Sequence, residues 1–171
     1  MFDNIRQKLA DWIAPKLKDR RNDLERLVNT DALTGLANRR AFDLAKYKAR
    51  RDNKIFVMID GDNFGRVNKE TGNESGDRAI RLLANTVRLG SKLVDANERV
   101  FRLGGDEFVV IVNAITEANI VINFVESFFK NEEIIYGTVR VGATAAIGKN
   151  LHQADRAMQG KKKAKKMFAI T

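Results

Sequence analysis

Four acids stand where chemistry can be done. Asp60 closes a short apolar run, residues 55–59, and Asp62 follows two positions later. Asp106 and Glu107 come directly after the glycine pair Gly104-Gly105. An acid at the end of a buried strand lies where α/β sheets hold their ligands. Paired glycines let backbone approach a ligand closely and accept positive φ. If the 55–59 strand runs beside the glycine turn, Asp60 and Asp106 meet at one end of a sheet. Two converging carboxylates repel unless a divalent cation lies between them, an arrangement suited to metal-assisted phosphoryl or nucleotidyl transfer. The same residues are also ordinary turn formers in solvent. Residue chemistry alone leaves both readings standing.

Composition narrows the field. The chain has 171 residues, no cysteine and one histidine, His152. Disulfides, thiolate metal sites and cysteine nucleophiles are excluded, and a Ser-His-Asp or multi-histidine centre is disfavoured. Any metal must sit on carboxylates, which favours a hard ion such as Mg²⁺ or Mn²⁺. The formal net charge is +9. That excess suits nucleic acid, an anionic membrane face or a phosphorylated small molecule. No apolar run approaches the roughly 18 residues of a membrane span, and the first residues lack a signal-peptide pattern. The expected compartment is the cytoplasm.

The acids need elements to position them. Apolar residues at helical spacing predict a helix over 2–29, with Pro15 kinking it or starting a second one. Its stripe can pack on its own domain, pair with another chain or lie on a membrane. Further helices are expected over 38–51, 76–93, 117–130 and 151–166. Strands are expected over 55–59, 99–103 and 108–112, the last two joined at Gly104-Gly105 as a hairpin. One or two more should fall within 134–147, and a short final strand at 168–170. Residues 61–72 read as a mixed, glycine-bearing segment. The order predicts α/β with a mixed sheet. One catalytic-type domain is expected over 30–171, with residues 1–29 as an N-terminal helical extension.

Several motifs then share a single source. Arg102-Leu103-Gly104-Gly105-Asp106-Glu107-Phe108 resembles the signature of the GGDEF family, the diguanylate cyclases. The run Asp31-Ala32-Leu33-Thr34-Gly35-Leu36-Ala37-Asn38-Arg39-Arg40 resembles that family's D-x-L-T-G-L-x-N-R-R. Asp60-Gly61-Asp62-Asn63-Phe64 resembles D-[I/V]-D-x-F. Val67-Asn68, Gly72 and Gly76-Asp77 keep the family spacing, and Ala154-Asp155-Arg156-Ala157 resembles the opening of its last helix.

The resemblance implies a palm like that of nucleotidyl cyclases and polymerases, about five strands wrapped by helices. It implies that two GTP molecules are joined into cyclic di-GMP with release of two pyrophosphates, across a homodimer holding one GTP per subunit. By the family pattern Asp60, Asp106 and the carbonyl of Gly61 hold two Mg²⁺ or Mn²⁺ ions. Glu107 becomes a candidate for metal binding or proton removal. Asn68 and Asp77 match guanine-edge positions, and the backbone amides of Asn63 and Phe64 match a phosphate cradle beside Gly104 and Gly105. Lys162 and Lys166 match the phosphate-holding positions of the last helix, leaving Lys161, Lys163 and Lys165 to a solvated role. No nucleic-acid partner is expected, and a membrane is the weaker reading of the N-terminal helix.

Departures are equally informative. Gly65 stands where the family carries lysine, with Arg66 next as a replacement. Lys69, Asn73 and Gln159 also break the pattern, Gly61 replaces a branched residue, and Lys165-Lys166-Met167 replaces G-R-N. The alternative reading is therefore a degenerate domain that binds GTP or a cyclic nucleotide without turnover, or a palm enzyme making another cyclic nucleotide. The family's inhibitory R-x-x-D frame reads Asp95-Ala96-Asn97-Glu98, so no feedback inhibition through it is expected. About 30 residues precede Asp31, too few for a sensor domain and enough for a pairing helix, in which Leu17, Leu24 and Val28 fit a short coiled-coil seam.

Overall fold

The structure, a computed structural model, describes residues 2–96 and 99–168. Its elements are α1 (Phe2–Asn29), α2 (Arg39–Arg51), β1 (Ile55–Asp62), α3 (Phe64–Thr71), α4 (Asn73–Lys92), β2 (Val100–Gly104), β3 (Glu107–Val112), α5 (Ile115–Asn131), β4 (Ile135–Tyr136), β5 (Val139–Arg140), β6 (Gly142–Gly148) and α6 (Leu151–Phe168). The main sheet has the order β2-β3-β1-β6, and β4-β5 form a separate ribbon. The expected sheet of about five strands therefore has four.

Every ladder is antiparallel, which replaces the expected mixed pairing. Among the described residues a parallel contact survives only as the isolated bridge Ala37–Phe101. The expected final strand at 168–170 is not formed at its first residue, because α6 runs on through Phe168; residues 169 and 170 lie outside the described part. So do Asn97 and Glu98 of the inhibitory frame.

The strand β1 explains the layering. It is apolar on both faces, as a strand buried on both sides must be. Val57 and Ile59 pack with Leu83, Val87, Val121 and Val125 under α4 and α5. Phe56 and Met58 pack with Phe42, Phe101 and Met158 under α2 and α6. Phe42 meets Phe56 and Phe101 edge-on at 6.1 and 5.5 Å, a favoured aromatic geometry.

Both sheet edges are closed by side chains or loop. The amide of Arg102 donates to the carbonyl of Ala37 at 2.8 Å, covering β2. Along β6, Glu126 accepts from the Ala145 amide at 2.8 Å, and Lys161 and Lys165 donate to the carbonyls of Ala145 and Ala143. Saturating an edge in this way removes a template for further strand pairing.

Two departures from the sequence expectation matter for the site. Residues 64–71 form α3, a helix too short for its periodicity to be read. Gly72, at φ 84°, separates it from α4, which starts at Asn73 rather than at 76. Strand β1 continues through Asp62, so Asp60 sits inside the ladder rather than beyond it.

Pro15 lies within one continuous α1. That helix packs only on α2 to any extent and is fastened at its end, where the Asn38 amide group donates to the Val28 carbonyl at 2.8 Å. Trp12 and Leu27 are 61% and 74% exposed, and Leu9, Leu17 and Leu24 are exposed with them.

Candidate functional site

The pairing β3–β1–β6 brings the sequence's acids together. Asp60 lies opposite Glu107 on one side and Thr144 on the other. The β2–β3 turn is tight and glycine-dependent: Gly104 and Gly105 take φ 148° and 51°, and the register shifts there. The turn folds Asp106 back onto β1, whose Gly61 amide donates to the Asp106 carbonyl at 3.1 Å. A Cβ on Gly61 would lie 2.6 Å from the Phe64 ring and 3.0 Å from Cβ of Asp106. The departure from a branched residue at 61 thus lets the Phe64 ring and the turn close on the strand.

Charge is crowded at this end. Burial and the neighbouring Asp60 carboxylate push the Asp106 carboxyl above its ordinary value, against Lys162. Burial and Asp60 likewise raise Glu107, against Arg39, whose guanidinium lies 3.8 Å away. Close like charges disfavour ionisation in this way.

Three lysines of α6 answer the acids. Lys162 forms an ion pair with Oδ1 of Asp60 and donates to the Gly61 carbonyl at 3.3 Å. Lys165 donates to Asp62 at 3.0 Å and to Oγ1 of Thr144 at 2.6 Å, and Thr144 in turn donates to Asp62. Lys161 pairs with Glu126 at 3.6 Å. The solvated role expected for Lys161 and Lys165 is therefore corrected: the ladder side of α6 faces β6, and both lysines reach its carbonyls. Lys163 is exposed, and among the described residues neither it nor Lys166 has a hydrogen bond or ion pair.

The base-edge candidates lie on the two helices that follow β1. Asn68 is on α3 and Asp77 on α4, directly after Gly76. The Asn68 amide lies where a Cβ on Gly76 would be. Neither side chain has a hydrogen-bond partner among the described residues, so both are open to a ligand. Asn63, at φ 71°, precedes α3 and donates to the Arg140 carbonyl at 2.9 Å. The amides of Phe64 and Gly65 open the first turn of α3, where a helix has no internal acceptors. Arg66, the expected substitute for lysine at 65, is paired with Glu70 at 3.0 Å.

Sequence reasoning missed the residues that hold the hairpin. Arg102 donates to both carboxylate oxygens of Asp31, at 2.9 and 3.1 Å, and to the Gly105 carbonyl at 3.0 and 2.8 Å. Burial opposes the charge on Asp31, but Thr34 and Arg102 hold its carboxyl below the ordinary value. Arg39 donates to the Leu103 carbonyl at 2.8 Å. Arg88 fastens the loop that carries Asp31, through the Thr34 carbonyl at 2.9 Å. The signal was present as two arginine-bearing motifs, but a separation of 71 residues hides their contact. Beyond Glu107, a cleft of about 780 Å³ opens between α2 and α6, rimmed by Arg39, Arg50 and Asp155.

The donor set suits a hard divalent cation. Asp60, Asp106 and the Gly61 carbonyl offer only oxygen, and the acid pair is destabilised by its own charge. Among the described residues no three His, Cys, Asp or Glu side chains form a closed cation cage. Magnesium commonly uses one or two carboxylates and completes its shell with substrate phosphates. Among the described residues no helix is long and apolar enough to cross a membrane.

Comparison with known proteins gives this arrangement its context. The diguanylate cyclase DgcN of Escherichia coli K12 is 30% identical over 116 residues, 65% of this chain and 28% of DgcN. The cyclic di-GMP phosphodiesterase NbdA of Pseudomonas aeruginosa PAO1 is 31% identical over 140 residues, 77% of this chain and 17% of NbdA. The chain thus spans less than a third of these relatives. Among solved structures, the coiled coil and GGDEF domain of Caulobacter crescentus DgcB, in complex with c-di-GMP, superposes with TM-score 0.69 at 25% identity. The match covers 94% of this chain and 95% of that one. The family model described as diguanylate cyclase, GGDEF domain, matches residues 28–167, from the end of α1 to the end of α6. With the palm, the glycine hairpin and its acids in place, this chain belongs to the GGDEF domain family of diguanylate cyclases.

Proposed function

We propose that the chain condenses two GTP molecules into cyclic di-GMP and two pyrophosphates, as a homodimer in which each subunit presents one GTP. In each of two steps the 3′-oxygen of one nucleotide attacks the α-phosphorus of the other; a P–O bond forms and pyrophosphate leaves. Two Mg²⁺ or Mn²⁺ ions held by Asp60, Asp106 and the Gly61 carbonyl would neutralise the triphosphate and acidify the attacking hydroxyl. Glu107, whose carboxyl is raised by burial and Asp60, is placed to take the hydroxyl proton. Asp77 and Asn68 present acceptors to the N1–H and N2–H₂ of guanine, donors that adenine does not pair in that way. The first-turn amides of α3 at Phe64, the amide of Asn63 and the glycine turn line the path of the phosphates, with Lys162 and Lys166 above them.

The reading rests chiefly on the convergence of Asp60 and Asp106 at the sheet end that also carries Asn68 and Asp77. Exposed apolar residues along α1 support pairing of two chains through that helix, which would raise the effective concentration of two half-sites. The reaction draws on cytoplasmic GTP. A second reading, a domain that binds a guanine nucleotide without turnover, is favoured by Gly65 and by the engagement of Arg66 with Glu70, which together leave the phosphate cradle short of one cation.

Incubation of the purified chain with GTP and Mg²⁺ or Mn²⁺ tests the two, with products separated by chromatography and identified by mass. Cyclic di-GMP from the wild type and none from Asp106→Ala supports the cyclase. Nucleotide binding without product at concentrations where dimers form supports the second reading.

A further inference from the structure

One cation already occupies two of the three groups expected to hold the metal, Asp60 and the Gly61 carbonyl. The Lys162 ammonium is ion-paired with Oδ1 of Asp60, 3.3 Å from the Gly61 carbonyl and 3.6 Å from Oδ1 of Asp62. Its placement is built into the fold. Ala154 and Met158 are buried against the sheet, and Lys162 follows at the same four-residue spacing, so it shares their face. Lys161 and Lys165 on either side are anchored to β6 carbonyls at 2.7 and 3.2 Å. These anchors fix the rotation of α6 and aim Lys162 at Asp60. The ammonium also works against the charge that Asp60 imposes on Asp106.

We infer that Lys162 is an internal counter-ion that closes the cation site of the free chain and is drawn off only by a polyphosphate. An ammonium and a divalent ion cannot share Asp60 and the Gly61 carbonyl, since like charges a few ångströms apart repel strongly in a partly buried setting. A bare metal ion must therefore displace the lysine into solvent. A metal ion arriving with a triphosphate offers the lysine new anionic partners within reach of its flexible four-carbon stem. Metal and nucleotide then bind with positive coupling, and the coupling is reciprocal. The inference rests on the proposed reading for where the metal and phosphates sit, but its readout is binding.

The test is titration of the nucleotide-free chain with Mn²⁺, followed by electron paramagnetic resonance, in wild type, Lys162→Met, Lys162→Arg and Asp60→Asn. Removing the competing charge in Lys162→Met should tighten Mn²⁺ binding at least about tenfold. Lys162→Arg, which keeps the charge, should stay at the wild-type value, and Asp60→Asn should lose the site. Equal or weaker Mn²⁺ binding in Lys162→Met overturns the inference. Lys162→Gln serves as the second neutral variant if the methionine chain does not fold. The product assay is run alongside. A chain that makes cyclic di-GMP but shows no gain in Lys162→Met refutes the counter-ion alone. A gain of Mn²⁺ affinity in Lys162→Met together with no product from the wild type refutes the cyclase reading alone.

Discussion

The hairpin end of the sheet and the N-terminal helix are built on opposite plans. At the hairpin end, charged side chains from three separated stretches of sequence tie the chain together: Asp31 accepts from Arg102, while Arg39, Arg102, Lys161, Lys162 and Lys165 donate to carbonyls or carboxylates. On α1 the polar residues face water beside exposed leucines, and among the described residues the helix packs chiefly on α2. The first region has satisfied nearly every polar group it buries and keeps a surplus of acid at Asp60, Asp106 and Glu107. The second has left apolar surface unsatisfied. A surplus of negative charge asks for a cation, and exposed apolar surface asks for another apolar surface. On the proposed function the two regions turn to different partners, a metal-bearing nucleotide and a second chain.

The sharpest way to break this contrast is at its acidic end. Asp106→Ala should lower product formation by at least about 10²- to 10³-fold, the scale of losing one preorganised electrostatic group. Thermal unfolding should show no loss of stability, because the substitution relieves repulsion with Asp60. A large drop in melting temperature would mean that Asp106 is structural.

At the other end, the double change Leu17→Asp and Leu24→Asp should make the chain monomeric by sedimentation velocity. It should cut the rate at low micromolar protein by about 10²-fold, the gain that linked half-sites supply. The domain's melting temperature should hold, since α1 contributes little to its core. A rate unchanged in a monomer would place the pairing elsewhere.

The ties at the hairpin predict a smaller effect on stability. Arg102→Lys keeps the charge but loses the fork that grips Asp31 and Gly105 together, and should cost about 1–3 kcal/mol by chemical denaturation. Asp31 gives this a pH signature. Its carboxyl is held below the ordinary value in the folded chain, so the unfolded chain binds that proton more readily. The stabilisation is complete above the ordinary carboxylate range and is lost as pH falls through the lowered value. Asp31→Asn should flatten that part of the stability profile; an unchanged profile would assign the pH dependence to another acid.

The mildest change expected is Lys166→Ala. With no described partner for this exposed lysine, stability should stay within about 0.5 kcal/mol. The KM for GTP should rise if Lys166 holds phosphate, and an unchanged KM would leave that role to Lys162.

Much of this was legible before any coordinates. The continuous apolar run of β1, the glycine pair of the hairpin and the periodicity of α4 are local signals, and each element formed where expected, with β1 three residues longer and α4 starting three residues earlier. The acids were legible because the apolar run of β1 and the glycine turn mark their places by short-range geometry, although β1 runs on past Asp60. Helix α3 was not, because eight residues hold barely two turns and three glycines interrupt the neighbourhood.

Tertiary structure alone decided what meets what. The ladder order put Glu107 and Thr144 on either side of Asp60, and the antiparallel pairing replaced the mixed sheet expected from the order of elements. Gly76 took its meaning from Asn68, which lies where its Cβ would be, and Gly61 from the Phe64 ring and Asp106, which leave no room for one. Lys162 and Lys165 found their partners about a hundred residues away, so a run that reads as a solvated helix end became the counter-charge of the site. The physical reason is one of range. Hydrophobic periodicity and turn chemistry act over a few residues and can be read along the chain, whereas the pairing of charges depends on which surfaces the packed core brings face to face.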